Sequence, residues 1–233
     1  MAFGKTAGCI ILAGAGLMLA QARAAQFPVR HEHWQDHCNG VLTVDENGVS
    51  FAGPKKHQWS WKYPDIEQLT LSPGRVTVLT YKDNKLLLGA DRSYRFTGKV
   101  PAAELYALLK DRLDQRLVAA LGPDAGQDAG LPAWTFPVKH LGRIAGSEGT
   151  LTFGAEAVTY STAARDDSRT WRYSDIDNIG SSGPFQLTVT TFERDKYTFG
   201  DRKGFNFELK ERITEAAYNE IWMRIEKENG KIQ

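Results

Sequence analysis

The pentapeptide Phe27-Pro28-Val29-Arg30-His31 returns as Phe136-Pro137-Val138-Lys139-His140. At the same offset Gly40-Val41-Leu42-Thr43 answers to Gly149-Thr150-Leu151-Thr152, and Val49-Ser50-Phe51 answers to Val158-Thr159-Tyr160. One residue out of step, Trp61-Lys62-Tyr63-Pro64-Asp65-Ile66 answers to Trp171-Arg172-Tyr173-Ser174-Asp175-Ile176. Val76-Thr77-Val78 then matches Leu187-Thr188-Val189, Gly89 and Asp91-Arg92 match Gly200 and Asp201-Arg202, and Tyr94 and Phe96 match Phe205 and Phe207. Blocks repeated in one order, with drifts confined to turns, mean a tandem duplication of a domain-length unit rather than a short-period solenoid.

Within each copy the hydrophobic period is mostly two. Val41–Val44 and Val49–Phe51 flank the polar turn Asp45-Glu46-Asn47-Gly48 and read as a hairpin. Strand patterns follow at Gln58–Trp61, Ile66–Leu71, Arg75–Tyr81, Lys85–Gly89 and Tyr94–Phe96, separated by breakers such as Ser72-Pro73-Gly74 and Lys82-Asp83-Asn84. About seven short strands at such spacing suit a small barrel or sandwich. The period then changes to helical. After Pro101, Leu105, Leu108, Leu109, Leu113 and Leu117 fall on one helical face. In the second copy Thr214 is placed to cap a helix whose stripe is Ala217, Tyr218, Ile221, Trp222 and Ile225. Between the copies, Ala120–Ala133 carries Gly and Pro without a period and reads as a linker. The expected fold is therefore mainly β with α: two tandem domains, residues 25–119 and 134–233, each a small antiparallel barrel or sandwich closed by a C-terminal amphipathic helix.

The Gly-x-Leu strand at Gly40 and Gly149, the Val-x-Phe/Tyr strand, the Trp-x-Tyr-x-Asp-Ile block and the final helical stripe resemble the pleckstrin-homology-like superfamily, including its GRAM-type and bacterial variants. The resemblance covers both copies. Its motifs are packing positions and so speak for fold. The first copy is also similar to bacterial modules that open with His-x-His-x4-Cys-x-Gly-x-Leu, here His31, His33, Cys38, Gly40 and Leu42. The resemblance implies binding of a peptide or protein in the groove between a strand and the closing helix. Relatives that bind phosphoinositides use basic residues in the first hairpin. Here that turn is Asp45-Glu46-Asn47-Gly48 or Gly154-Ala155-Glu156, without the Lys/Arg fork a phosphate needs, which argues against a lipid headgroup.

The N-terminus reads as a secretory signal, residues 1–24. Lys5 supplies the positive end, Ile10–Leu19 the apolar run, and Ala22-Arg23-Ala24 the small-x-small cleavage pattern. The run is too short to span a bilayer, which needs about 20 residues, so no transmembrane segment is expected. The mature protein is expected to be periplasmic or extracellular. Cleavage would take Lys5 and Arg23 from the 29 basic side chains and none of the 28 acidic ones, leaving a formal charge of −1. Such a balance lacks the basic stripe of a nucleic-acid binder.

With Cys9 in the leader, Cys38 is the single thiol of the mature chain and no internal disulfide can form. His31, His33, His37 and Cys38 then place four soft or borderline donors close together. His31 and His33 alternate onto one face of a strand, and Cys38 can return across a turn as thiolate, a donor set suited to zinc. His57 lies later in the same copy, whereas the second copy keeps only His140. No phosphate loop, HExxH helix, Ser-His-Asp order or paired-carboxylate signature occurs. The sequence thus points to a non-catalytic binding or scaffolding protein of the cell envelope, with metal or thiol chemistry at the His/Cys cluster as its alternative.

Overall fold

The computed structural model describes residues 24–33, 36–84, 89–122, 134–195 and 202–231. Residues 1–23 of the expected signal segment, the Lys85–Gly89 strand pattern except Gly89, Gly200 and Asp201, and the expected linker from residue 123 to 133 lie outside these residues.

The first copy supplies β1 (Ala25–Glu32), β2 (His37–Val44), β3 (Gly48–Ala52), β4 (Gln58–Lys62), β5 (Ile66–Ser72), β6 (Arg75–Asp83), β7 (Asp91–Gly98) and α1 (Ala102–Leu109), followed by β8 (Leu117–Ala119). The second supplies β9 (Trp134–His140), β10 (Ser147–Phe153), β11 (Ala157–Thr162), β12 (Arg169–Arg172), β13 (Ile176–Gly183), β14 (Gln186–Thr191), β15 (Lys203–Leu209) and α2 (Glu215–Glu228). The local reasons follow the sequence. Asp45 Oδ1 accepts from the Asn47 and Gly48 amides at 2.7 and 3.1 Å and closes the β2–β3 turn. Thr214 caps α2 by accepting from the Ala217 amide at 3.2 Å. Gly40 and Gly149 recur because a side chain has no room there. A Cβ would stand 2.4 Å from the Ala52 carbonyl oxygen at Gly40, and 2.2 Å from that of Ser161 at Gly149.

The expectation of two separate small barrels is overturned. All fifteen strands form one hydrogen-bonded sheet in the order β13-β14-β15-β9-β10-β11-β12-β8-β5-β6-β7-β1-β2-β3-β4. The joint is β8. It runs parallel to β5, with Leu69 opposite Leu117 and Leu71 opposite Ala119, and it meets β12 through Thr170 opposite Ala119. Leu117, Val118 and Ala119 are all buried, as a strand with neighbours on both sides requires.

The helical expectation is corrected too. In the first copy the helix stops at Leu109, and Asp114 takes the left-handed φ of 42°, which ends helical propagation. Leu113 is buried in the turn and Leu117 belongs to β8, so the leucine stripe spans three kinds of backbone. In the second copy Ala217, Ile221 and Ile225 are buried, but Trp222 is 39% exposed. Each helix lies on its own copy's apolar cluster. One cluster includes Leu42, Phe51, Trp61, Phe96 and Leu109, and the other Leu151, Tyr160, Trp171, Phe207 and Ile221. Each fully buried Leu or Phe of this kind contributes about 1.5–3 kcal/mol.

Polar clamps cross between the copies beside the β8 joint. Arg172 reaches back to accept-side partners at the end of α1, donating to the Lys110 and Asp114 carbonyls while it forks onto Asp175 at 2.6 Å. Gln115 donates to the Ser174 carbonyl at 3.0 Å, and Arg194 donates to Asp91 at 2.6 Å and to Glu67. Among the described residues no helix is long and apolar enough to cross a membrane.

Candidate metal centre

β1 and β2 pair so that His31 stands opposite Cys38. His33 lies just past the end of β1, where its amide donates to the Asp36 carbonyl at 2.8 Å and turns the chain back toward β2. This hairpin brings three donor atoms together. His31 Nδ1 is 3.3 Å from His33 Nε2, His33 Nε2 is 3.4 Å from Cys38 Sγ, and Cys38 Sγ is 3.9 Å from His31 Nδ1. Among the described residues this is the group whose donor atoms are close enough to share an ion. His37, the fourth residue expected from the sequence, is placed elsewhere. It faces the other side of β2, its ring is half-exposed, and Nδ1 lies 3.7 Å from the Asp36 carboxylate. The alternation of a strand separates it from its neighbour Cys38.

The surroundings favour neutral imidazole. Burial, then the neighbouring His33 and His57 and the Arg92 guanidinium, lower the His31 pKa to about 4, against a smaller opposing pull from Glu32. Burial, and after it the Asp36 carboxylate, raises the Cys38 thiol, so a metal ion would have to displace its proton.

Two further side chains border the group, neither of which the sequence assigned to it. The Trp59 ring lies 4.8 Å from that of His31 and 5.0 Å from Tyr94, walling one side of the group. His57 stacks on Trp59 at 5.5 Å and stands 4.5 Å from the His33 ring, centre to centre. Its Nδ1 is buried and has no hydrogen-bond partner. The signal for both was the alternation through Gln58–Lys62, which turns Trp59 and Trp61 onto one face, with His57 next in that series.

The second copy holds a different set at the same place. β9 and β10 pair His140 opposite Ser147, as β1 and β2 pair His31 opposite Cys38. Asp167 bridges them, standing 3.1 Å from His140 Nδ1 and accepting from the Ser147 hydroxyl. Ser147 Oγ also lies 2.7 Å from the Tyr160 hydroxyl. The histidine bond, and then the Ser147 hydroxyl against the cost of burial, lower the Asp167 pKa to about 2. The serine contacts the carboxylate rather than the imidazole, and a carboxylate of pKa about 2 is a weak base for its hydroxyl.

The fold and this group define a mainly-β chain with a His2Cys cluster on its β1–β2 hairpin. No protein-family profile matches the chain, and no curated protein matches it. Among solved structures it is similar to the C-terminal domain of an unknown protein from Leishmania infantum, at 15% identity and a TM-score of 0.31, over 41% of this chain and 84% of that one. It is also similar to the Spt16D Pob3N heterodimer, at 15% identity and a TM-score of 0.33, over 73% of this chain and 84% of that one.

Proposed function

We propose that the chain is an exported binding protein that holds one transition-metal ion of the zinc class through His31, His33 and Cys38. The observation that carries this reading is the spacing of the three donors. Two nitrogens about 2.0–2.1 Å and a sulfur about 2.3 Å from one tetrahedral ion stand roughly 3.3–3.6 Å apart. The separations here are 3.3, 3.4 and 3.9 Å, so the ion requires a few tenths of an ångström of adjustment. The donor set is borderline-soft, which suits zinc, copper or nickel and disfavours magnesium or calcium. The leader-like N-terminus supports export, and in an oxidising compartment metal ligation protects a thiol that has no disulfide partner. We infer also that the repeat unit is pleckstrin-homology-like in ancestry. The strand orders β5-β6-β7-β1-β2-β3-β4 and β13-β14-β15-β9-β10-β11-β12, each followed in sequence by a helix after its third strand, support that descent.

The full chain, purified without a histidine tag, is dialysed against zinc with a weak competing chelator and its bound metal counted. Wild type should retain one equivalent, Cys38→Ser and His33→Ala none, and His37→Ala one. Zinc at 100 times Kd should also stabilise wild type by about 2.7 kcal/mol. Equal, sub-stoichiometric metal in all four proteins would end the proposal.

A further inference from the structure

The two repeats put different chemistry on one scaffold, and the comparison identifies what the first repeat lacks. Three positions correspond. His140 ends the first strand of its repeat and His31 lies one residue before the end of its own, and Cys38 and Ser147 stand opposite them. His57 and Asp167 each precede the matched tryptophan, Trp61 or Trp171, by four residues. In the second repeat the third position closes the set, because Asp167 bonds to both His140 and Ser147. In the first repeat the third position is His57, whose Nδ1 is buried yet bonds to nothing. A buried polar atom without a partner costs about 1–3 kcal/mol, and such exceptions call for a ligand or ion to satisfy them.

Resting on the metal reading above, we propose that His57 is the fourth ligand and that the first repeat carries a closed His3Cys site. The placement supports this in three ways. The ring lies beside that of His33 at 4.5 Å and 6.3 Å from that of His31, on the side of the group bounded by Trp59. Its backbone is held by a tight turn, the His57 amide donating to the Pro54 carbonyl at 2.6 Å and the Gly53 amide donating to the His57 carbonyl at 3.1 Å. The counterpart residue in the second repeat does reach its histidine from this turn. Four protein ligands leave no position for water, so the site is structural or a metal store, and it does not activate a nucleophile.

Cobalt(II) alone is the probe, because its visible absorption reports coordination number, and zinc displacement then gives affinity. The full-length chain, His57→Ala, His57→Asn and His140→Ala are compared, with far-ultraviolet circular dichroism as the check on folding. Wild type should give the intense bands of four-coordinate cobalt with a thiolate ligand. Both His57 variants should still bind one ion through the remaining three residues, at least about tenfold more weakly, with altered bands that added imidazole restores in His57→Ala. His140→Ala should match wild type. Wild type that binds no cobalt or zinc overturns the metal reading and this one together. Wild-type binding with unchanged affinity and spectrum in both His57 variants overturns the fourth ligand alone and leaves the three-residue site standing. A loss that imidazole leaves unrestored assigns His57 to packing and equally overturns its role as a ligand.

Discussion

Replacing Arg172 by alanine tests how the two repeats are held together. Its guanidinium makes a bidentate pair with Asp175, with Nε 2.9 and 3.2 Å from the two carboxylate oxygens and Nη2 at 2.6 Å. The side chains are 19% and 8% exposed. The same guanidinium donates to the Lys110 and Asp114 carbonyls of the first repeat, where α1 ends. Removing it leaves a buried carboxylate uncompensated, at a cost of about 3–5 kcal/mol. For a chain of this size that is a fall in Tm of roughly 6–20 °C, at about 2–4 °C per kcal/mol. The double variant Arg172→Ala/Asp175→Ala removes the stranded charge as well and should recover a substantial part of the loss. Arg172→Lys should recover little, since one ammonium cannot serve a carboxylate fork and two carbonyls on different sides. The repeat supplies its own control in Lys62, the counterpart of Arg172, which is exposed and whose replacement by alanine should change stability by no more than about 0.5 kcal/mol. Urea unfolding of each variant gives the free energies. A loss below about 1 kcal/mol for Arg172→Ala, with single and double variants alike, would mean that the pair behaves as a surface ion pair and that the clamp argument is wrong.

Two further predictions concern packing and acid. Ile221→Ala should cost about 2–5 kcal/mol, because Ile221 is 1% exposed, while Trp222→Ser, one residue on and 39% exposed, should cost less than about 1 kcal/mol in the same melts. Comparable losses would misplace the inward face of α2. The Asp167 carboxyl has a folded pKa of about 2, below its ordinary value, so its contribution is present above about pH 4 and is lost as pH falls toward 2. Allowing for its partial exposure this contribution is about 1–2 kcal/mol, so the stability advantage of wild type over Asp167→Asn should shrink across that window. A constant difference from pH 6 to pH 2.5 would contradict the assignment.

Most strand positions and the closeness of His31, His33 and Cys38 were readable in the sequence because each rests on short-range rules. Alternation placed Leu42 and Phe51 inward, an Asp-x-x-Gly turn set the β2–β3 register, and cross-strand pairing put a histidine opposite a cysteine. What was not readable depended on tertiary competition. Leu113 and Leu117 satisfy helical spacing, yet the helix ends at Leu109, Asp114 takes a left-handed φ beyond it, and Leu117, Val118 and Ala119 are buried as a strand between β5 and β12. Because β8 has no counterpart among the described residues of the second copy, the repeat gave no warning of it. His37 illustrates the converse. Proximity in sequence suggested a ligand, and the two-residue period of the strand turned it away. His57 lies far from the cluster in sequence and joins it only through the sheet.

The short strand β8 has a consequence for how the two halves coexist. Both its flanks are hydrogen-bonded, one to β5 and one to β12. A chain severed after it would bare one of those flanks on the first half and the facing flank of β12 on the second. Raw sheet edges of this kind are adhesive, since each is a template for whatever strand arrives. The severed halves are therefore complementary partners, and each alone is a candidate for pairing with another copy of itself. Keeping both repeats on one polypeptide supplies the matching edge at high local concentration and hides it before a foreign strand can bind.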